Sequence, residues 1–81
     1  MLLDEIRNAQ DGNQDAMMTI IRRFNPLLRK YGRKLGYEDA TDDLTVELIE
    51  QIKEFQISKL RSTSEGAIVN YIATTIYRDY S

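Results

Sequence analysis

The chain has 81 residues, of which 42% are hydrophobic and 30% are charged, and its formal net charge is −2. This length supports one domain, near the lower limit at which an apolar core suffices without metal ions or disulfides. Cysteine and histidine are both absent, which excludes disulfides, thiolate nucleophiles, Cys-ligated zinc and the commonest general base. We therefore expect a single domain over residues 1–81 that is not an enzyme and has no catalytic residue, metal site or cofactor.

The sequence has no pattern typical of membrane insertion or export. No apolar run approaches the roughly 20 residues that a membrane-spanning helix needs. The N-terminal segment MLLDEIRNAQDGNQD is acidic and lacks the basic start and apolar centre of a signal peptide. These features predict a cytoplasmic protein with no membrane partner.

Two helices are predicted in the first half of the chain. A short helix over LLDEIRNAQ ends at DGN, where Gly12 and Asn13 form a turn and can cap the next helix. From Gln14 to Leu35, apolar residues recur at steps of three and four and share one side of a helix. Pro26 predicts either a kink or a split with Asn25 as a new cap, and Gly36 ends the helix. The apolar positions are Met17, Ile20, Ile21, Phe24, Leu28, Tyr31 and Leu35.

The opposite side of this helix is cationic. We call it the basic face: Arg22, Arg23, Arg29, Lys30, Arg33 and Lys34. Clustered cations displace counterions from phosphate, so Arg29 and Arg33 are candidate DNA contacts. Solvated cations, or cations paired within the domain, are the alternative.

The next helix is predicted to run from Glu38 or Ala40 to Phe55, with Thr41 as a possible start. Its apolar stripe comprises Leu44, Leu48, Ile52 and Phe55. Four acids follow at steps of four, three and four, and we call them the acidic ridge: Asp43, Glu47, Glu50 and Glu54. Like charges at this spacing cost a helix a few tenths of a kcal/mol per pair, so the ridge does not stabilise its own helix. It is either a solvated surface, an internal partner of the basic face, or a docking site for a basic helix.

The last helix follows the connection QISKLRSTS, in which Ser62 and Glu65 have the spacing of a capping box. It is predicted to bury Ile68, Val69, Ile72 and Ile76. Tyr71, Thr74 and Arg78 then share an outward face, with Tyr77 nearby. Aromatic, hydroxyl and guanidinium groups are those that hold unstacked bases and their backbone. The alternative is that these tyrosines cover the edges of the core.

Three segments in order, FNPLLRKYGRKL, EDATDDLTVELIEQI and NYIATTIYRDY, resemble the second conserved region of bacterial sigma factors of the sigma-70 class. The resemblance covers about residues 13–81 and is strongest to small, divergent members. The motif DDLTVELIEQI is similar to the family's Asp-Leu-x-Gln-Glu helix, with Asp43, Leu44 and Glu47 at matching positions and Val46 in place of Gln.

The resemblance implies a compact, all-α, three- to four-helix domain that acts in transcription initiation. Its acidic helix would dock on the clamp helices of the RNA polymerase beta-prime subunit. Tyr71 matches an aromatic wedge residue of the family, and Thr74, Tyr77 and Arg78 match residues that contact the −10 promoter element within the holoenzyme. Asn70 stands where primary factors have a second Trp.

Other hypotheses differ in what the domain contacts. The sequence contains no second DNA-binding domain for a −35 element, so it is either a fragment or a co-sigma whose partner sigma chain supplies that domain. Alternatively, it is a regulatory domain that engages a sigma partner or polymerase without touching the promoter. A stand-alone helix-turn-helix repressor is disfavoured, because its turn candidate, LGYEDATDDL, leads into an acidic helix.

Overall fold

The computed structural model describes all 81 residues, and its regular secondary structure is entirely helical. Four α-helices follow one another: α1 (Leu2–Gln10), α2 (Gln14–Leu35), α3 (Ala40–Glu54) and α4 (Glu65–Tyr80). A 3₁₀ turn at Ile57–Lys59 lies in the connection before α4. The predicted all-α class is confirmed, with four helices.

One apolar core joins the four helices, and every pair of helices is in contact. The predicted stripes of α3 and α4 are confirmed, with Phe55 and Val69 half-buried at the edge of the core. On α2, Ile20 is completely buried, whereas Ile21 is half-buried and lies outside the core cluster. The core residues are Leu2, Ile6 and Ala9 from α1; Ala16, Ile20, Phe24 and Leu28 from α2; Leu44, Leu48 and Ile52 from α3; and Ile68, Ile72 and Ile76 from α4.

The turn between α1 and α2 is formed by Gly12 and Asn13, as predicted. Gly12 has a φ of 97°, a backbone conformation that residues with a side chain rarely adopt. The side chain of Asn13 accepts the N–H of Ala16 at 3.1 Å, so it caps the first turn of α2. These two residues therefore end one helix and start the next.

The 22-residue helix α2 runs unbroken through Pro26. The predicted split at Asn25 is therefore wrong. Pro26 is exposed, so the carbonyl four residues earlier, which loses its amide partner, lies on the solvated side of the helix. Gly36 ends α2 as predicted, in the left-handed conformation with a φ of 78°. None of the four helices combines the length and the apolar composition that crossing a membrane would require.

Helix α3 begins beside Gly32 of α2. The predicted start at Ala40 is confirmed, whereas Thr41, the other possible start, lies inside the first turn. A Cβ atom placed on Gly32 would lie 2.1 Å from the Thr41 side-chain oxygen and 3.0 Å from the Thr41 Cα atom. The absence of a side chain at Gly32 therefore allows the start of α3 to pack on α2.

Helix α4 is capped by Ser64, whose side chain accepts the N–H of Ala67 at 3.3 Å. The predicted capping box of Ser62 and Glu65 is wrong. Ser62 instead bonds to Ser64, accepting its N–H at 3.3 Å. Glu65 is thereby free for contacts with other helices.

Candidate functional site

The acidic ridge lies on the solvent side of α3, and its four carboxylates are exposed. The structure contains two ion pairs, one between the Met1 amino group and Asp4 and one between Arg23 and Glu65. Neither includes a residue of the ridge. The alternative in which the ridge pairs with the basic face is therefore wrong, and the carboxylates are available to a cationic partner.

A tyrosine that the sequence analysis did not select fixes one end of the ridge. The hydroxyl of Tyr37, which lies between α2 and α3, donates to the Asp43 carboxylate at 2.8 Å. This hydrogen bond raises the pKa of Tyr37, with smaller contributions from desolvation and from the negative charges of Asp43 and Asp39. The bond holds the Asp43 carboxylate in one orientation.

A groove of about 520 Å³ lies beside the ridge, where the end of α2, the first half of α3 and the end of α4 meet. We call it the acidic groove. Asp79 of α4 adds a third carboxylate there, and both of its oxygens accept from the Gln51 side-chain amide, at 2.9 and 2.8 Å. The groove is lined by Leu35, Tyr37, Asp43, Leu44, Val46, Glu47 and Asp79.

Three of the candidate DNA contacts meet on the outward face of α4. Tyr71, Thr74 and Arg78 line a shallow groove of about 280 Å³ together with Asn70. The Thr74 hydroxyl donates to the Asn70 backbone carbonyl at 2.8 Å, so it remains able to accept a hydrogen bond. Tyr71 and Arg78 lie at its exposed surface. This face presents an aromatic ring, a hydroxyl and a guanidinium in one row.

Tyr77 lies apart from this row, on the side of α4 that meets α2. Its ring makes an edge-on contact with Tyr31, with the centroids 5.6 Å apart. Tyr80 stacks on the same Tyr31 ring at 4.8 Å. The three tyrosines join the ends of α2 and α4, although half of the Tyr77 surface stays exposed. Tyr77 thus helps to join α2 and α4, whereas Tyr71 does not contact this cluster.

Four residues of the basic face fall into two pairs with different surroundings. Arg29 and Arg33 are exposed and form no ion pair. Lys30 and Lys34 each place the amino nitrogen 5.6 Å from the centre of the Tyr31 ring, within the range of a cation–π contact. These two lysines, which were not selected as site residues, therefore belong to the tyrosine cluster.

A cavity of about 360 Å³ lies between the end of α3, the 3₁₀ turn and α4. Tyr71 borders it and contacts the edge of Phe55, with the ring centroids 5.3 Å apart. Leu60 and Ile72 add apolar surface, and Lys59 adds a cation. The segment before α4 was predicted only as a connection, so this cavity was not anticipated from the sequence.

These features define a small four-helix domain with a free acidic surface and a separate basic and aromatic surface. The family described as "Helix-turn-helix domain" matches residues 5–56, which is more than half of the chain. The chain belongs to this family. The matched residues span most of α1, all of α2, the turn after Gly36 and all of α3.

Two curated relatives are similar over most of this chain. RNA polymerase sigma factor TcsR of Paraclostridium sordellii is 31% identical over 71 residues, which are 88% of this chain and 42% of that protein. Bacteriocin UviA of Clostridium perfringens is 33% identical over 78 residues, with 83% of this chain and 41% of that protein covered. The chain thus spans about two fifths of the length of these relatives. No solved structure matches it.

The family match identifies a helix-turn-helix domain, whereas only a stand-alone helix-turn-helix repressor was disfavoured from the sequence. The two helices and their tight turn depend on Gly36 and on the contact between Gly32 and Thr41, not on the charge of α3. The charge still matters for binding, because recognition helices that enter a DNA groove contact bases and phosphates with donors and cations. The exposed side of α3 offers mainly carboxylates.

Proposed function

We propose that this chain is a transcription initiation domain similar to sigma region 2, which binds RNA polymerase through α3 and contributes to recognition of the −10 promoter element through α4. The observation that carries the proposal is the unpaired acidic ridge. A helix surface with four exposed carboxylates and no internal cation suits a basic protein partner, because charge complementarity steers the encounter and fixes the register. The beta-prime clamp helices of RNA polymerase are that partner.

The similarity of this chain to TcsR, which is by name an RNA polymerase sigma factor, supports a role in transcription initiation. The α3 segment also carries the residues of the sigma-like motif, with Asp43, Glu47 and Leu44 in the expected order. Leu44 is buried while the two acids are exposed. The motif can therefore hold the helix on the core and present its acids at the same time.

Calorimetric titration of this chain with a purified beta-prime clamp coiled coil, at low and high salt, tests the docking step. Glu47→Lys should abolish binding, because it places a cation against a basic partner. Asp11→Lys changes the net charge equally in the turn between α1 and α2, away from the ridge, and should bind like the unchanged chain. Equal binding by Glu47→Lys and Asp11→Lys would refute the docking proposal.

Promoter contact is the second part of the proposal. Tyr71 supplies a stacking surface, Thr74 an acceptor and Arg78 a cation, so the outward face of α4 suits a single strand of melted promoter. Arg29 and Arg33 on α2 would lie along the phosphate backbone. Tyr77 would contribute through its exposed half while its contact with Tyr31 holds α4 in place.

Transcription assays with the assembled polymerase distinguish this proposal from the alternative of a regulator that never touches DNA. Tyr71→Ala and Arg78→Ala should each reduce transcription while leaving polymerase binding intact. Arg7→Ala, which removes an exposed cation from α1, is the matched control for Arg78→Ala. If both α4 variants transcribe like the control, the regulator that engages a sigma partner or polymerase becomes the better account.

A complete initiation complex also needs a module for the −35 element. We propose that residues 1–81 act as a single sigma region 2-like domain and that this module comes from another segment or from a partner sigma chain. The domain would act in the cytoplasm, where polymerase and promoter are located.

A further inference from the structure

We propose that the acidic groove receives one apolar side chain from a helix of RNA polymerase, and that Arg or Lys residues flank this side chain on the partner helix. The proposal rests on the proposed function, because it names the chemistry of the polymerase segment that binds α3. It extends the docking site beyond the ridge to Tyr37, Val46 and Asp79.

The groove has apolar surface that a purely electrostatic contact would not use. Val46 is 52% exposed and Tyr37 is 51% exposed, and both line the groove. The half-buried Leu35 and the core residue Leu44 also line the groove. A partner that covered only the carboxylates would leave the exposed half of Val46 in water, whereas an apolar side chain seated here would bury it.

The carboxylates around this apolar surface select the partner's charge. Asp43 and Glu47 come from α3, one on each side of Val46 in the sequence, and Asp79 comes from the end of α4. No cation of this chain forms an ion pair with any of the three. A segment with Arg or Lys three or four residues from its apolar side chain would match this pattern, because such residues share one helix face.

Three hydrogen bonds hold the groove in shape before a partner binds. Tyr37 donates to Asp43, and Gln51 donates to both oxygens of Asp79. The Asp43 and Asp79 carboxylates therefore lose little conformational freedom on binding, which favours affinity. Val46 stands where the resembling family usually has Gln, so an apolar partner side chain would also distinguish this chain from factors with a polar residue there.

The experiment is calorimetric titration of the full chain with the purified beta-prime clamp coiled coil at two salt concentrations. Val46→Ser should weaken binding about tenfold at both concentrations, because the lost contribution is burial of apolar area. Val46→Ile should bind at least as tightly as the unchanged chain. Met18→Ser removes another exposed apolar side chain, on α2 outside the groove, and should have no effect.

Asp79→Asn tests the rim of the groove separately. The asparagine oxygen can still accept from Gln51, so the local hydrogen bond survives while the charge is lost. Binding should weaken at low salt and depend less steeply on salt concentration than in the unchanged chain.

The outcomes separate this inference from the proposed function. If Glu47→Lys abolishes binding but Val46→Ser and Asp79→Asn bind like Met18→Ser, the groove is refuted and docking of the ridge stands. If the unchanged chain does not bind the coiled coil, both proposals fail. Weaker binding by Val46→Ser at both salt concentrations, together with a flatter salt dependence for Asp79→Asn, supports the groove.

Discussion

Glu65, the first residue of α4, accepts the backbone N–H of Leu2, the first residue of α1, with its two oxygens at 3.2 and 3.1 Å. The N-terminus of α1 has no side-chain cap of its own, so this contact satisfies a donor that the helix would otherwise leave without a protein partner. Arg23 of α2 also donates to Glu65. A single carboxylate thus ties three helices together at one end of the domain.

This junction predicts a pH-dependent stability. The N–H of Leu2 has the largest effect and lowers the pKa of Glu65, desolvation opposes it, and the hydrogen bond and charge of Arg23 lower the pKa further by smaller amounts. The stabilisation is present above the ordinary glutamate pKa of about 4.3 and is lost as the pH falls through the lower folded-state value. Glu65→Gln should therefore unfold at lower urea concentration than the unchanged chain at neutral pH, and the difference should shrink on acidification.

Glu50→Gln is the control, since it removes the same charge from an exposed side chain of the acidic ridge. Its unfolding free energy should stay within about 0.5 kcal/mol of the unchanged chain. A difference between Glu65→Gln and the unchanged chain that persists undiminished at acidic pH would contradict the role assigned to the Glu65 carboxylate.

The contact between Gly32 and Thr41 predicts the effect of adding one methyl group. Gly32→Ala should destabilise the domain by about 1–3 kcal/mol, because the new Cβ atom overlaps Thr41 and pushes α3 from α2. Gly66→Ala is the matched change in α4, where a Cβ atom has no heavy atom within 4 Å. It should stabilise the domain by up to about 1 kcal/mol through helix propensity. Thermal or urea unfolding of both variants measures the contrast, and equal effects would refute the close packing.

Two neighbouring isoleucines on α2 should differ strongly in their contribution to the free energy of unfolding. Ile20→Ala removes a completely buried side chain and should cost about 2–5 kcal/mol of unfolding free energy. Ile21→Ala removes a half-buried side chain outside the core cluster and should cost less than about 1.5 kcal/mol. Urea denaturation compares the two. Similar losses for both would mean that α2 is rotated relative to the arrangement described above.

The hydrogen bond between Tyr37 and Asp43 predicts a high-pH titration. The pKa of Tyr37 is raised in the folded domain. The stabilisation that the hydrogen bond gives to the folded state is therefore complete below the ordinary tyrosine pKa and is lost as the pH rises through the folded-state pKa. The titration of Tyr37 can be followed by the ultraviolet absorbance of tyrosinate, taken as the difference between the unchanged chain and Tyr37→Phe. Its midpoint should lie at a higher pH than that of free tyrosine. Asp43→Ala should move this titration to lower pH, and an unmoved midpoint would contradict the assignment.

Helical periodicity predicted most of the fold, because the apolar stripes depend on local spacing. The positions of the caps were harder to predict. Ser64 rather than Ser62 caps α4, and Thr41 packs against Gly32 instead of starting α3. The roles of Glu65 and Thr41 depend on contacts with helices that are distant in the sequence, and no local pattern contains that information. The alternative of a split at Pro26 failed for another reason: the exposed position of Pro26 makes the missing hydrogen bond tolerable.

The candidate site, like the fold, was predictable where it depends on local spacing along a helix. Exposure of the acidic ridge follows from its spacing opposite the buried stripe of α3. Whether cations of α2 would reach that ridge depended on the angle between helices, and the structure places Arg23 against Glu65 instead. The acidic groove, to which Asp79 contributes from α4, likewise exists only after α4 has packed against α3.

The link between Leu2 and Glu65 has a consequence for synthesis on the ribosome. Helix α1 is made before the other three helices, whereas Glu65, the acceptor for its terminal N–H, and the α4 isoleucines of the shared core are made after them. Helix α1 is therefore stably packed only after α4 has been synthesised. A nascent chain stalled before α4 would expose the apolar side of α1, so the domain completes its folding only once α4 has left the ribosome.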